Sequence, residues 1–276
     1  MLTRRHIAWV VYCSNYHVAG FGGKLQLVPF RGDGEDPDAV LEMARQVDAA
    51  LLYFSNPNNP MGSFHSAATI ERMISGVPDG ALLCLDEAYV EFAPRGVAPP
   101  LDVSDKRVVR MRTFSKAYGL AGARVGYCIG HHELISSFDK IRNHFGVSRV
   151  SQVAALAALQ DQDWLAGTIT KVDKARDRIK EIARSNGLRA LHSATNFVAV
   201  DCGRDGEFAR LVLASLIEEG DIFIRMPGIA PCDRCIRVGC APADELDVFE
   251  RALPIALQHA AAIVDAASAS VKAARL

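Results

Sequence analysis

Short apolar and β-branched runs alternate with helical segments through the first half of the chain, and this alternation limits the fold more than any other feature. Residues 49–54, 81–85, 108–111 and 124–130 each read as a buried strand. Residues 7–13 and 25–30 are also strand-like, separated by Gly20, Gly22 and Gly23. That glycine spacing reads as a turn, because it is not a dinucleotide fingerprint and no helix follows at once. Asp36-Pro37-Asp38 opens a helix with Asp36 as N-cap, and Val40, Leu41, Ala44 and Val47 form its apolar stripe. A second helix is expected over 67–74, stopping before Pro78. Such alternation implies an α/β fold with a mostly parallel sheet flanked by helices. Ligands of such sheets gather at the carboxyl ends of the strands. Asn59, Asp86, Tyr89 and Lys116 all fall at such ends.

Composition narrows the function classes. Half of the 276 residues are hydrophobic, enough for one large or two moderate domains. The net charge is -1 with both signs interspersed, so nothing suggests a nucleic-acid or membrane-surface partner. No apolar run approaches a membrane span. The start faintly imitates a signal peptide, but its apolar part is short and no small-x-small cleavage site follows, which favours a strand. Seven scattered cysteines read as reduced thiols in a cytoplasmic protein.

The chemistry centres on residues 111–127, where a Gly-rich connection between two expected strands carries Thr113, Ser115, Lys116 and Arg124. A lysine amine there can form a Schiff base with a carbonyl cofactor, while the two hydroxyls and the arginine can hold a phosphate. The plain alternative is a surface lysine on a loop. The other strand ends carry the remaining groups that pyridoxal phosphate chemistry requires. A carboxylate must keep the ring nitrogen protonated, and Asp86 fits, although it can also simply cap a helix. Asn59 and Tyr89 can donate to the phenolic oxygen, although 56–60 also reads as a rigid turn. Once released by a substrate amine, Lys116 is the natural base at the substrate α-carbon.

Three motifs then carry a resemblance: Asn-Pro-Asn-Asn-Pro-x-Gly from Asn56, Asp-Glu-Ala-Tyr-Val-Glu-Phe from Asp86, and Thr-Phe-Ser-Lys-Ala-Tyr-Gly-Leu-Ala-Gly-Ala-Arg-Val-Gly-Tyr from Thr113. Together they resemble the fold-type I, class I/II aminotransferases, most of all the histidinol-phosphate aminotransferase branch, from about Tyr16 to about Leu257. The resemblance implies that Lys116 is the Schiff-base lysine and Asp86 the partner of the pyridine nitrogen. It implies Asn59 and Tyr89 at the phenolic oxygen, and Thr113, Ser115 and Arg124 at the phosphate. It also implies a cytoplasmic homodimer, with an amino donor and a 2-oxo acid as substrates.

The second half reads as a smaller α+β domain, giving an expected division into 1–150 and 151–276. Residues 151–186 are strongly helical and close at Gly187 as C-cap. Strands are expected at 197–200 and 222–224, with helices over 207–217 and from about 243, and the segment 234–239 lies between. By the same resemblance Arg237 clamps the substrate α-carboxylate, a role suited to a planar fork, and Arg225 and Asn196 lie near the substrate. Cys232 and Cys235 imitate half a zinc site, but no second pair or spaced histidine completes it, so no metal is expected. His131, His132 and His144 are read as helix-start and helix-end residues.

The resemblance has gaps. Family members extend further at the amino end, where they carry a phosphate-holding loop and a tyrosine that reaches the partner subunit. No aromatic stands at residues 13–15, the place where one normally stacks on the cofactor, although the flanking Tyr12 or Tyr16 can substitute. The expectation is therefore an amino-terminally shortened aminotransferase. Its alternatives are a related amino-acid-phosphate decarboxylase, or a remnant that binds cofactor weakly or not at all. A nicotinamide-dependent dehydrogenase lacks its strand–Gly-x-Gly-x-x-Gly–helix unit.

Overall fold

The computed structural model describes residues 6–9 and 15–273. Its elements divide into two compact units, residues 1–59 with 63–169 and residues 60–62 with 170–276. The division falls inside a long helix rather than at residue 150, because the preceding helix packs on the first unit.

The first unit is built on a six-stranded sheet. In chain order it comprises β1 (His6–Trp9), α1 (Asn15–Gly20), β2 (Lys24–Leu27), α2 (Pro37–Gln46), β3 (Ala49–Ser55), α3 (Ala67–Ser75), β4 (Leu82–Asp86), β5 (Val108–Thr113), β6 (Gly126–Gly130), α4 (His132–Ser136) and α5 (Arg149–Gln160). The strand order is β2-β1-β3-β4-β5-β6. All neighbours run parallel except β5 and β6.

Local signals in the sequence account for most boundaries. Asp36 caps α2 by accepting the Asp38 and Ala39 N–H groups at 3.0 and 3.3 Å, with Pro37 in the first turn. Val40, Leu41 and Ala44 of α2 and Ile70 and Met73 of α3 pack on Leu52, Phe54, Leu83 and Leu85. Val47 is only half-buried, because α2 has ended there. Strand β2 stops at Leu27, short of the expected 30, because Pro29 lacks an N–H and restricts Val28. The glycine cluster terminates the unforeseen α1. Gly22 and Gly23 donate to the Ala19 and Val18 carbonyls, both at 2.9 Å, with Gly22 at φ +72°. The expected strand over 7–13 lies partly outside the described residues.

The helical stretch expected over 151–186 is two helices. Ser148 caps α5, and Asp161 accepts the Trp164 N–H at 3.0 Å, starting α6 (Gln162–Ser185) separately. Gly187 closes α6 at φ +70°, with Leu188 N–H on the Ala183 carbonyl at 2.9 Å. His131 does cap α4, but His144 lies in a turn beyond any helix end.

In the second unit, β7 (Arg189–Ala190), β8 (Phe197–Asp201) and β9 (Cys235–Gly239) form an antiparallel sheet in that order. Helices α7 (Gly206–Glu218) and α8 (Ala243–Ala273) complete it. Its core joins Ile179 and Ile182 to Val198, Val200, Phe208, Val212, Leu216, Ile236 and Leu253. No strand forms at 222–224. Asp221 turns the chain at φ +50°, Pro227 follows, and only Arg225 bridges to Arg237. Among the described residues no helix is long and apolar enough to cross a membrane.

Candidate active site

Three connections leave the sheet side by side. Ser55 of β3 is in register with Asp86 of β4, and Asp86 with Met111 of β5. The Asn56 N–H donates to the Asp86 carbonyl at 2.9 Å, and the Glu87 N–H to the Met111 carbonyl at 2.8 Å. These bonds extend the ladder past the strand ends and fix where each loop begins. Residue alternation then sorts the faces. Leu52, Phe54, Leu83 and Leu85 go under the helices, while Tyr53, Cys84 and Asp86 stand half-buried on the other face.

Three of the expected residues, Asn59, Tyr89 and Lys116, meet in the loops after β3, β4 and β5. Asn59 Nδ2 donates to the Tyr89 hydroxyl at 3.4 Å. The Lys116 ammonium lies over the Tyr89 ring, 5.2 Å from its centroid. Lys116 is placed by a tight turn in which Gly119 N–H reaches the Lys116 carbonyl and Leu120 N–H the Phe114 carbonyl. Gly119 has φ +71°, and a Cβ there would stand 3.2 Å from a Trp164 ring carbon. Thr113 Oγ1 accepts the Ser115 N–H at 3.0 Å. Arg124, expected inside a strand, precedes it in the left-handed region at φ +49°, exposed, with Nη1 on the Ala121 carbonyl at 2.8 Å.

Asp86 has both carboxylate oxygens engaged. Oδ1 accepts the Ala88 N–H at 2.9 Å, and Oδ2 accepts the Tyr53 hydroxyl. The neighbouring Glu87 is clamped by Arg110 at 2.5 Å and Arg112 at 2.9 Å. Arg110 also donates to the Pro99 and Pro100 carbonyls, both at 3.0 Å. Below the β3 loop, buried Glu35 accepts the Ser55 N–H at 3.0 Å and the Ser55 hydroxyl at 3.2 Å. Burial outweighs these bonds and pushes its carboxyl up to about 8. Tyr53, Glu87, Arg110, Arg112 and Glu35 had not been singled out.

In the second unit, Arg225 and Arg237 exchange backbone hydrogen bonds at 3.4 and 2.6 Å, which puts these two arginines side by side. The Arg237 guanidinium lies over the Phe197 ring at 4.7 Å, and Asn196 accepts the Cys240 N–H at 2.8 Å through its carbonyl. Among the described residues no group of three His, Cys, Asp or Glu side chains can hold a metal.

A family model for aminotransferase class I and II matches residues 17–253. The chain belongs to the class I and II aminotransferases. It is 37% identical over 205 residues to a histidinol-phosphate aminotransferase of Bacillus velezensis, spanning 73% of this chain and 56% of that protein. It is 36% identical over 223 residues to an aromatic amino acid aminotransferase of Mycobacterium avium, spanning 77% and 62%. The chain thus spans little more than half the length of these relatives. Its fold matches the histidinol-phosphate aminotransferase of Sinorhizobium meliloti in complex with pyridoxal-5'-phosphate at a TM-score of 0.90 and 46% identity, over 94% of this chain and 72% of that one. The α/β fold with a mostly parallel sheet is therefore that of this family's pyridoxal-phosphate transferases.

Proposed function

We propose that this chain carries the lysine-bearing site of a pyridoxal-phosphate aminotransferase, moving an amino group between an amino acid or histidinol phosphate and a 2-oxo acid. The observation that carries the reading is Lys116 poised over Tyr89, whose hydroxyl meets Asn59, at the strand ends that also present Asp86. The donor set fits the cofactor: an amine, an oriented carboxylate, an amide beside a phenol, and two hydroxyls followed by an exposed guanidinium. When bound, pyridoxal phosphate supplies a pyridinium ring that withdraws electron density from the substrate α-carbon.

Each residue then has a role. Asp86 holds the proton at the ring nitrogen, since a carboxylate at that position favours the charged form. Asn59 and Tyr89 donate to the phenolic oxygen. Thr113, Ser115 and Arg124 bind the phosphate through charge-assisted hydrogen bonds. Lys116 anchors the cofactor and moves the proton at the substrate α-carbon through Nζ. In the second unit Arg237 is assigned to the substrate α-carboxylate, oriented by its packing on Phe197, with Arg225 and Asn196 as further substrate contacts. A cytoplasmic homodimer belongs to the same reading.

The test is turnover. The chain is incubated with pyridoxal phosphate, 2-oxoglutarate and, in turn, histidinol phosphate, tyrosine and phenylalanine, and glutamate is quantified. Glutamate formation that disappears in Lys116→Ala supports the proposal. Carbon dioxide release from an amino-acid phosphate without glutamate would replace it with decarboxylation. A folded chain inert in both assays would leave the remnant reading.

A further inference from the structure

We propose that Tyr53 is a positioning residue for Asp86, its phenol fixing the orientation in which the carboxylate would meet the ring nitrogen. The inference rests on the assignment of Asp86 made under the proposed function, and it adds a residue that no motif of the chain contains.

The sheet geometry produces the contact. In the parallel register of β3 and β4, Tyr53 stands opposite Cys84, and Asp86 lies two positions further along the same face. A phenol spans that diagonal, and the Tyr53 hydroxyl donates to Asp86 Oδ2. The Ala88 N–H takes Oδ1 at 2.9 Å, so each oxygen has one donor and the carboxylate plane is fixed. A carboxylate offers about four lone-pair sites, which leaves capacity for a ring N–H.

The surroundings keep the phenol a donor. Burial first, then the Asp86 charge, pushes the Tyr53 hydroxyl far above the ordinary tyrosine range, so it retains its proton at any working pH. Among the described residues, the titratable groups facing the pair include Cys84 on β4, Glu35 ahead of α2, and, beside Cys84, Cys128 on β6. Burial and Asp86 push the Cys84 thiol up to about 12, and Glu35 titrates near 8. Both are largely uncharged near pH 7, so neither sets a second negative charge beside Asp86.

The test uses Tyr53→Phe, which keeps the ring and removes only the hydroxyl, beside Asp86→Asn. Carbon-13 labelling of aspartate carboxyls lets the Asp86 resonance be assigned by its loss in Asp86→Asn and its chemical shift compared between Tyr53→Phe and parent without cofactor. Tyr53→Phe is expected to move that resonance and to weaken pyridoxal phosphate binding about tenfold. The visible band of the bound cofactor should shift its pH midpoint in the same variant. An Asp86 resonance and a cofactor affinity that are the same in Tyr53→Phe and parent overturn the positioning role alone. Equal cofactor binding by Asp86→Asn and parent overturns the assignment of Asp86, and with it the inference.

Discussion

The Nζ of Lys116 stands over the face of Tyr89, 5.2 Å from the ring centroid, while Asn59 donates to the hydroxyl on the same ring. One tyrosine therefore touches both the amine that would anchor the cofactor and the amide that would share its phenolic oxygen. The contact joins the loops after β3, β4 and β5, and each loop is started by ladder bonds that continue the sheet.

Removing that hydroxyl tests its proposed use. Tyr89→Phe preserves the ring under Lys116 and deletes one donor to an anionic oxygen. Pyridoxal phosphate should bind about tenfold more weakly, as expected for one hydrogen bond to a charged group. A visible titration reads this directly. Unchanged affinity would contradict the placement of Tyr89 at the phenolic oxygen.

Glu87 makes a separate structural claim. Its side chain is 1% exposed and that of its partner Arg110 4%, with Arg112 as a second donor. Glu87→Ala leaves Arg110 buried without its counter-charge, and breaking such a pair costs about 3–5 kcal/mol. Urea unfolding should show a loss of that order. A loss below about 1 kcal/mol would mean that water reaches the guanidinium in the folded chain.

Glu35 gives the fold a pH dependence whose sign is fixed. Its carboxyl rises from 4.5 to about 8 on folding, chiefly through burial. Between those values the folded chain holds the proton and the unfolded chain does not. The contribution is thus complete below the unfolded value and fades as pH rises through the folded one. Unfolding measured from about pH 5 to about pH 8 should lose roughly 1.4 kcal/mol per pH unit from this group. Glu35→Gln should remove that slope. An unchanged slope in the variant would assign the titration elsewhere.

Gly62 belongs to the second unit, where its carbonyl accepts the Ala194 N–H at 2.9 Å. At φ +82°, a Cβ would fall 2.4 Å from Ser193 Oγ and 2.9 Å from Ser193 Cβ. Gly62→Ala combines left-handed backbone with a clash in a buried hydroxyl cluster, and should cost roughly 2 kcal/mol or more. A thermal midpoint equal to the parent's would show that Ser193 yields freely.

Much of the first unit was legible because its signals are local. Asp36-Pro37 marks a cap that needs no tertiary contact, and the short apolar 49–54 run reads as a buried strand. The motif loops were readable because lysine, aspartate and asparagine at strand ends have few uses in common. What escaped depends on neighbours. The Tyr53–Asp86 contact requires the β3–β4 register, and Glu87 needs two arginines from β5. The three apolar residues at 222–224 looked like a strand, but they lie in a short stretch between a left-handed aspartate and Pro227, where no ladder forms. Asp161 inside a long helical composition was missed because a capping side chain acts only once the chain has turned.

The most direct measurement is to incubate the chain with pyridoxal phosphate, reduce it with borohydride, and map the modified peptide. The account predicts a single label on Lys116, preceded by a distinct visible band, with both lost in Lys116→Ala. Label spread over surface lysines, or none on a folded chain, would contradict it.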